Sequence, residues 1–482
     1  MNDFYSSTVL QPGSELPLYR QVHQRFIRAI RQGILLPGQR VPSVRALASE
    51  LQISRNTVEV AYDLLIGEGY LEARGQAGTV VSPNLNLERL QKQPEAGSAS
   101  EAPPRPANHS VYDAATHEKP LPYQLGLPAL DLFPHKLWAG LNTRQLRLQS
   151  KMLTYPAPAG FQPLREAIAG YLHLSRGVDC SPQQVFITAG YRGAMTLLGR
   201  TLLRPMDEVW LEDPCFPPTR HLMAEMGAQL VPVPVDEEGM RVEEGKARAL
   251  HARFALVTPA HQSPLGVSLS LKRRMELLAW AESHNAFVIE DDYDSEYRYD
   301  GQPLPSLSSL GASDNVLYVG TFSKVLSPAL RLAYLVVPKR LVPRFNESCH
   351  TLNDGCPLLS QGVVVDFIKE GHFTRHLRKM RTAYAERRQM VIDSLLNEFG
   401  QRMNFSAPAC GLHLLARLGS EEDDQLLAQR ARERQFGVAA LSARSMENDC
   451  GKGLLLGFAN VATPEQAASL ARGLRLSMEA AH

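Results

Sequence analysis

Between Asn84 and about Glu118 this 482-residue chain loses the apolar content that a folded core needs. The stretch holds Gln91-Lys92-Gln93-Pro94-Glu95-Ala96-Gly97-Ser98-Ala99-Ser100 and Pro103-Pro104-Arg105-Pro106, in which few side chains are large and apolar and proline interrupts helix and sheet alike. So little buried surface cannot offset the entropy of ordering the backbone. The chain therefore reads as a small unit over residues 12–82, a linker over 83–118 and a large unit over 119–482.

Composition narrows what these units do. With 44% hydrophobic and 21% charged residues, both can bury ordinary globular cores. A formal net charge of +1 supplies no overall field for nucleic acid or membrane, so any contact with DNA has to come from a local surface. No apolar run is long enough to span a bilayer, and Met1-Asn2-Asp3-Phe4-Tyr5 lacks the basic-then-apolar pattern of an export signal, so a cytoplasmic location is expected. The six cysteines, at 180, 215, 349, 356, 410 and 450, form no Cys-x-x-Cys pair and have no close His, which points to reduced thiols and not to disulfides or a metal.

In the small unit, Leu18, Val22, Phe26, Ile27 and Ile30 recur at helical spacing and stop at Gly33. Ser43 is placed to cap a second helix carrying Val44, Leu47, Ala48 and Leu51. Gln52-Ile53 separates it from Ser54, which caps a third helix from Arg55 to Leu65. Two short capped helices joined by a tight turn make a helix-turn-helix, and the alternating, glycine-punctuated run Gly69–Val81 makes a two-stranded wing. Arg55, Asn56 and Thr57, at the start of the third helix, are the candidates for base and phosphate contacts, with Arg45 and Arg74 as candidates for backbone phosphates. Residues 1–82 hold eight arginines against seven Asp and Glu, so one copy binds weakly and a dimer is implied. A capped helical hairpin alone would fit any helical protein. The runs Pro17-Leu18-Tyr19, Pro37-Gly38-Gln39-Arg40-Val41-Pro42-Ser43-Val44-Arg45, Ser54-Arg55-Asn56-Thr57-Val58 and Glu68-Gly69-Tyr70-Leu71 are more specific, and through them the unit resembles the GntR-type winged helix.

The large unit alternates short apolar strands with helical stretches, the α/β pattern of a mostly parallel sheet, in which ligands gather beyond the carboxyl ends of the strands. Val185–Thr188 leads to Ala189-Gly190-Tyr191-Arg192, a glycine turn opening a helix, where free backbone N–H groups favour an anion. Ala286–Ile289 leads to Glu290-Asp291-Asp292-Tyr293, and Val209–Leu211 leads to Glu212-Asp213-Pro214-Cys215-Phe216. Val316–Thr321 leads to Ser323 and Lys324, with Arg331 seven residues further on. An amine, an anion cradle, an acid for a ring nitrogen and an aromatic face are together what pyridoxal 5'-phosphate (PLP) requires. Thr321, Ser323 and Arg331 can neutralise its phosphate.

From about Pro120 onward the chain resembles the fold-type I aminotransferase domain, in the form found in MocR-type regulators of the GntR superfamily. The resemblance is carried by Tyr155-Pro156-Ala157-Pro158-Ala159-Gly160, Pro163-Leu164-Arg165, Ile289–Tyr299 and Gly320-Thr321-Phe322-Ser323-Lys324. It implies that Lys324 forms the imine with PLP, that Asp291 meets the pyridine nitrogen with Asp292 as the alternative, and that Tyr293 meets the ring oxygen. Phe216 would stack on the ring, with Gly190, Tyr191 and Arg192 at the phosphate. It also implies a head-to-tail homodimer that binds operator DNA and responds to PLP or to an amino compound.

Two departures bear on activity. Aminotransferases of this fold carry an Asn-Pro-Thr-Gly-like turn, and this chain has Ser263-Pro264-Leu265-Gly266. They also grip substrate carboxylate with an arginine near a C-terminal strand, yet Gly453–Ala459 contains none. Arg444 is the remaining candidate for an effector carboxylate, its alternative being a surface arginine. The expectation is a regulator with weak or vestigial turnover, an active aminotransferase being the competing reading. The basic run Lys369–Arg388 reads as a solvated helical face, contact with DNA flanking the operator being the alternative.

Overall fold

The computed structural model describes residues 16–85, 119–148, 154–299, 304–311, 313–352, 355–406 and 410–479. The chain divides into two compact units, residues 1–108 and 109–482. Residues 12–15 and 86–118, the start of the small unit and most of the expected linker, lie outside the described residues.

In the small unit, α1 (Leu18–Arg31) buries Val22, Phe26, Ala29 and Ile30, one stripe at helical spacing. Ser43 accepts a hydrogen bond from the Ala46 amide and opens α2 (Val44–Glu50). Ser54 accepts one from the Thr57 amide at 3.1 Å and opens α3 (Arg55–Gly67). Both caps satisfy donors that a helix leaves unpaired at its start. Gln52, at φ +53°, makes the tight turn between α2 and α3. Val58, Ala61, Tyr62 and Leu65 of α3 pack on α1, where the Phe26 and Tyr62 rings meet edge-on at 5.4 Å. The wing is an antiparallel pair, β1 (Leu71–Ala73) and β2 (Thr79–Val81).

The large unit is built on an eight-stranded sheet. Its strands are β3 (Val185–Thr188), β4 (Glu208–Asp213), β5 (Gln229–Asp236), β6 (Gly239–Met240), β7 (Phe254–Val257), β8 (Phe287–Asp292), β9 (Val316–Thr321) and β10 (Ala333–Val336), in the order β3-β10-β9-β8-β7-β4-β5-β6. Neighbours from β5 through β4, β7 and β8 to β9 are parallel, and β10 runs antiparallel to β3 and β9. Helices α4 (Gln162–Arg176) and α5 (Gly190–Leu202) pack against it, and the long α6 (His372–Phe399) packs on the helix Pro464–Glu479. A second, wholly antiparallel sheet has the order β11 (Asn404–Ser406), β12 (His413–Arg417), β14 (Gly453–Gly457), β13 (Ala439–Ala440).

Two sequence expectations need correction. The strands around the acids are longer than apolar content suggests: β8 runs through Asp292 and β4 through Asp213, because these carboxylates are buried and bonded to neighbouring elements instead of turning into solvent. The basic run is only partly solvated. His376 and Arg387 of α6 are buried, Arg387 donating to Asp131 Oδ1 at 3.0 Å, whereas Arg375, Arg378, Lys379 and Arg381 are exposed.

Losing an N-cap hydroxyl costs about 1 kcal/mol, roughly a fivefold change in a local equilibrium. Ser54→Ala should therefore accelerate hydrogen exchange at the first amides of α3 by about that factor, leaving the large unit's exchange unchanged. Unchanged protection at Thr57 would refute the capping role.

Candidate functional site

Strands β8 and β9 and the segment after β4 end together at one pocket. Its lining includes Tyr191, Phe216, Asp291, Tyr293, Thr321, Lys324 and Arg444, all sequence candidates, together with Leu125, Gly126, Ser263, Pro264, Asp294, Leu412, His413 and Leu455.

Alternation along β8 decides which acid faces it. Successive side chains of a strand point to opposite faces, so Asp291 lines the pocket and its two neighbours lie behind the sheet. There Asp292 pairs with Arg176 of α4 at 2.8 Å and accepts from the Tyr318 hydroxyl, while Glu290 accepts from Ser306 and the Leu307 amide. Asp291 is hydrogen-bonded by Tyr191, whose hydroxyl lies 2.9 Å from Thr219 Oγ1. Burial pushes the Asp291 carboxyl up to about 7, against the lowering effect of Tyr191.

Lys324 follows the end of β9, and its Nζ donates to the Gly126 carbonyl at 2.8 Å. Burial lowers its pKa, opposed by the charges of Asp294 and Asp291. A desolvated amine that loses its proton more readily is a better nucleophile. Gly126, at φ +78°, has no room for a side chain, since a Cβ there would come within 2.5 Å of Nζ.

Gly190, the expected anion turn, is the first residue of α5 and has φ +75°. The Arg331 guanidinium lies against it, 3.3 Å from where a Cβ would stand, and Arg331 also donates to the Ala189 carbonyl at 3.3 Å. Thr321 is buried in the pocket, and its Oγ1 accepts from the Ser323 amide at 3.1 Å. Gly190, Arg192, Ser323 and Arg331 are not part of the lining, and the side chains of Arg192 and Arg331 are exposed.

Arg444 is buried, at 4% exposure, which excludes the surface alternative. It stands in a short 3₁₀ turn, Ser442–Arg444, with its guanidinium 6.0 Å above the Phe216 ring. β14 presents Leu455 to the pocket, so the cation comes from the turn ahead of that strand.

Sequence reasoning missed a network beside Tyr293. The Tyr293 hydroxyl lies 2.9 Å from His261 Nδ1, which is also 3.0 Å from Asp294 Oδ1. His413 borders the pocket and its Nε2 lies 3.0 Å from the Pro264 carbonyl; burial and the neighbouring His261 bring its pKa down to about 4 and keep it neutral near pH 7. The run Pro259-Ala260-His261 gives little hint of this, because Asp294 lies 33 residues away.

In the small unit Arg45, Arg55, Asn56 and Arg74 are exposed; Arg74 pairs with Glu72 at 3.3 Å. Thr57 is half-buried, its hydroxyl 2.7 Å from Ser54 Oγ, so its side chain is engaged in the cap.

The two units thus have the makings of a helix-turn-helix reader and an α/β ligand-binding domain. Comparison with known proteins agrees: residues 18–81 match the bacterial regulatory proteins of the gntR family, and residues 131–455 match aminotransferase class I and II. The chain belongs to the MocR-type subgroup of GntR transcriptional regulators. It is 34% identical over 458 residues, 94% of this chain and 92% of the other, to the "Probable rhizopine catabolism regulatory protein MocR" of Rhizobium meliloti. It is 31% identical to the pyridoxine biosynthesis transcriptional regulator PdxR of Corynebacterium glutamicum, over 93% of each chain. Among solved structures, the α-aminoadipate aminotransferase LysN of Thermus thermophilus, complexed with N-(5'-phosphopyridoxyl)-L-leucine, aligns with a TM-score of 0.68 and 28% identity over 74% of this chain and 92% of that one. Among the described residues no helix is long and apolar enough to cross a membrane.

The raised pKa of Asp291 fixes the sign of a pH effect. The folded, cofactor-free protein holds a proton there that the unfolded chain has released, so stability falls as pH rises from about 4 to about 7. Asp291→Asn should raise the thermal midpoint of cofactor-free protein by a few degrees at pH 8 and leave it nearly unchanged at pH 4. An equal shift at both pH values would contradict this origin.

Proposed function

We propose that the large unit binds PLP at this pocket and that an amino compound entering there changes the DNA affinity of the small unit. The observation that carries the reading is the position of the Lys324 amine, in one pocket with the buried Asp291 carboxyl, the Phe216 ring and the Arg444 guanidinium. The residues fit the cofactor: Asp291 for the ring nitrogen, Tyr293 for the ring oxygen, Phe216 for the ring face, and Gly190, Tyr191, Arg192, Thr321, Ser323 and Arg331 for the phosphate. When bound, PLP supplies an aldehyde that an amine can capture and a ring that withdraws electrons.

The chain's own groups then divide the work. Lys324, held by the Gly126 carbonyl, presents a desolvated amine. Asp291, whose burial leaves it uncomfortable as an anion, gains from a positive ring nitrogen beside it. Arg444 orients a carboxylate, and the apolar Leu125, Leu412 and Leu455 exclude water from the amine. Arg55, Asn56 and Thr57 contact the operator, with Arg45 and Arg74 on its phosphates. The near balance of charge in the small unit supports binding as a dimer, head to tail by family resemblance. A ligand shifts DNA occupancy only if it binds one arrangement better than another, and DNA must then change ligand affinity by the same factor.

Aminotransferase turnover is the second reading, and Arg444 favours it, since its place in the pocket supplies the cation missing from β14. The two readings separate on whether an amino acid and a keto-acid acceptor are consumed over many cycles. Sustained production of the corresponding keto acid would establish turnover.

Borohydride reduction of PLP-loaded protein should fix the cofactor to Lys324, as peptide mapping would reveal, and Lys324→Ala should abolish that attachment while leaving the circular dichroism unchanged. Attachment elsewhere would overturn the assignment. Arg55→Ala should weaken operator binding roughly tenfold or more with PLP affinity intact, measured by fluorescence anisotropy; parallel loss of both would indicate unfolding instead.

A further inference from the structure

The segment that follows Arg444 is tied to the end of β4 by an unusually complete set of hydrogen bonds. Asp213, 1% exposed, accepts at Oδ1 from the Met446 amide at 2.7 Å and the Ser445 hydroxyl at 3.2 Å. At Oδ2 it accepts from the Glu447 amide at 2.9 Å, the Asn448 amide at 2.8 Å and the Asn448 side-chain amide at 2.7 Å. Three consecutive backbone N–H groups thus converge on one carboxylate, an anion-binding nest whose occupant is a side chain of the same protein. Two residues after Asp213, the Cys215 amide donates to the Arg444 carbonyl at 3.1 Å, and Phe216 then lies under the Arg444 guanidinium.

We propose that Asp213 is a positioning residue that fixes Arg444 in the pocket and so sets the preference of the site for ligands bearing a carboxylate. The inference rests on the reading of Arg444 as the carboxylate partner. An arginine on a strand inherits its backbone position from the sheet ladder, whereas Arg444 stands in a turn and needs another constraint. Asp424 holds the start of the turn by accepting from the Ser442 amide and hydroxyl, and residues 213–216 hold its end at three points: the carboxylate on amides 446–448, the Cys215 amide on the Arg444 carbonyl, and the Phe216 ring beneath the guanidinium. Hydrogen bonds to a charged acceptor are the stronger kind, and a displacement of about 1 Å at a binding group is enough to lose much of its effect. The same four-residue run carries the ring proposed to stack on the cofactor, so cofactor face and carboxylate cation are set by one piece of backbone.

The test uses full-length, PLP-loaded protein titrated with L-alanine and with ethylamine, which differ by the carboxylate, and follows the visible absorption of bound PLP. The readout is the ratio of the two apparent dissociation constants. In wild type the ratio should favour L-alanine, and Arg444→Gln should bring it near one. Asp213→Ala should reduce it about tenfold with PLP affinity within twofold of wild type, and should have no further effect in the Arg444→Gln background. Asn448→Ala removes a single donor and should reduce the ratio by a factor of about three, so the idea stays testable if Asp213→Ala does not fold. An unchanged ratio in both variants, or an added loss in the Arg444→Gln background, would overturn the proposal. A wild-type ratio near one, or one that Arg444→Gln leaves alone, would overturn the reading of Arg444 and the proposal with it. Absence of any PLP absorption would instead sink the cofactor reading.

Discussion

The site depends on the burial of three successive acids in one strand. Strand geometry sends Asp291 forward into the pocket and Glu290 and Asp292 backward, where the backward pair meets Arg176, Tyr318, Ser306 and the Leu307 amide. Asp291 has Tyr191 and little else to offset desolvation. A carboxyl held in that condition is an unfavourable feature of an empty pocket and a favourable one beside a cation. The network behind the sheet keeps β8 straight through Asp292, because each backward acid is bonded to a neighbouring element, and this fixes where Asp291 points.

Much of the fold was legible because local chemistry and tertiary structure agree. Ser43 and Ser54 read as caps and serve as caps; the stripe of Val22, Phe26 and Ile30 reads as a core helix and is one. The reading failed where burial overrides local preference. Acidic residues are poor strand formers, so the sequence predicts that β4 and β8 stop before their acids, yet pairing across the sheet carries both strands on. Residues whose partners are distant in sequence were invisible for a different reason. Nothing near Gly126 indicates that its carbonyl receives the amine of a lysine 198 residues away, and His261 gains its meaning only from Asp294 and Tyr293. Arg444 stood between these cases: its residue type suggested a carboxylate partner, but periodicity gives no burial for a three-residue turn.

The small unit poses the opposite electrostatic problem. Eight basic residues against seven acidic ones give it almost no net attraction for DNA, so discrimination must come from the few groups at the start of α3. Because Thr57 is tied to Ser54, the proposed base contact would fall mainly to Arg55 and Asn56, which stand exposed in the first turn. A reader with so small a footprint gains most from acting in pairs, and its occupancy is then sensitive to anything that alters how two copies are presented.

That sensitivity gives the placing of the carboxylate cation a physical consequence. A ligand can bias an equilibrium only by its difference in affinity between states, typically 1–3 kcal/mol in allosteric proteins. A cation built into a sheet ladder would bind a carboxylate about equally well in any arrangement that leaves the sheet intact. Arg444 is instead carried on a turn held by hydrogen bonds to Asp424 at its start and to Asp213 and Cys215 at its end. The bonds to the carboxylates are the stronger kind, so the guanidinium can move only where its anchors move. In the proposed reading, a ligand carboxylate meets Arg444 on that turn, so any difference in affinity between states has to come through Asp213, Cys215 and Asp424.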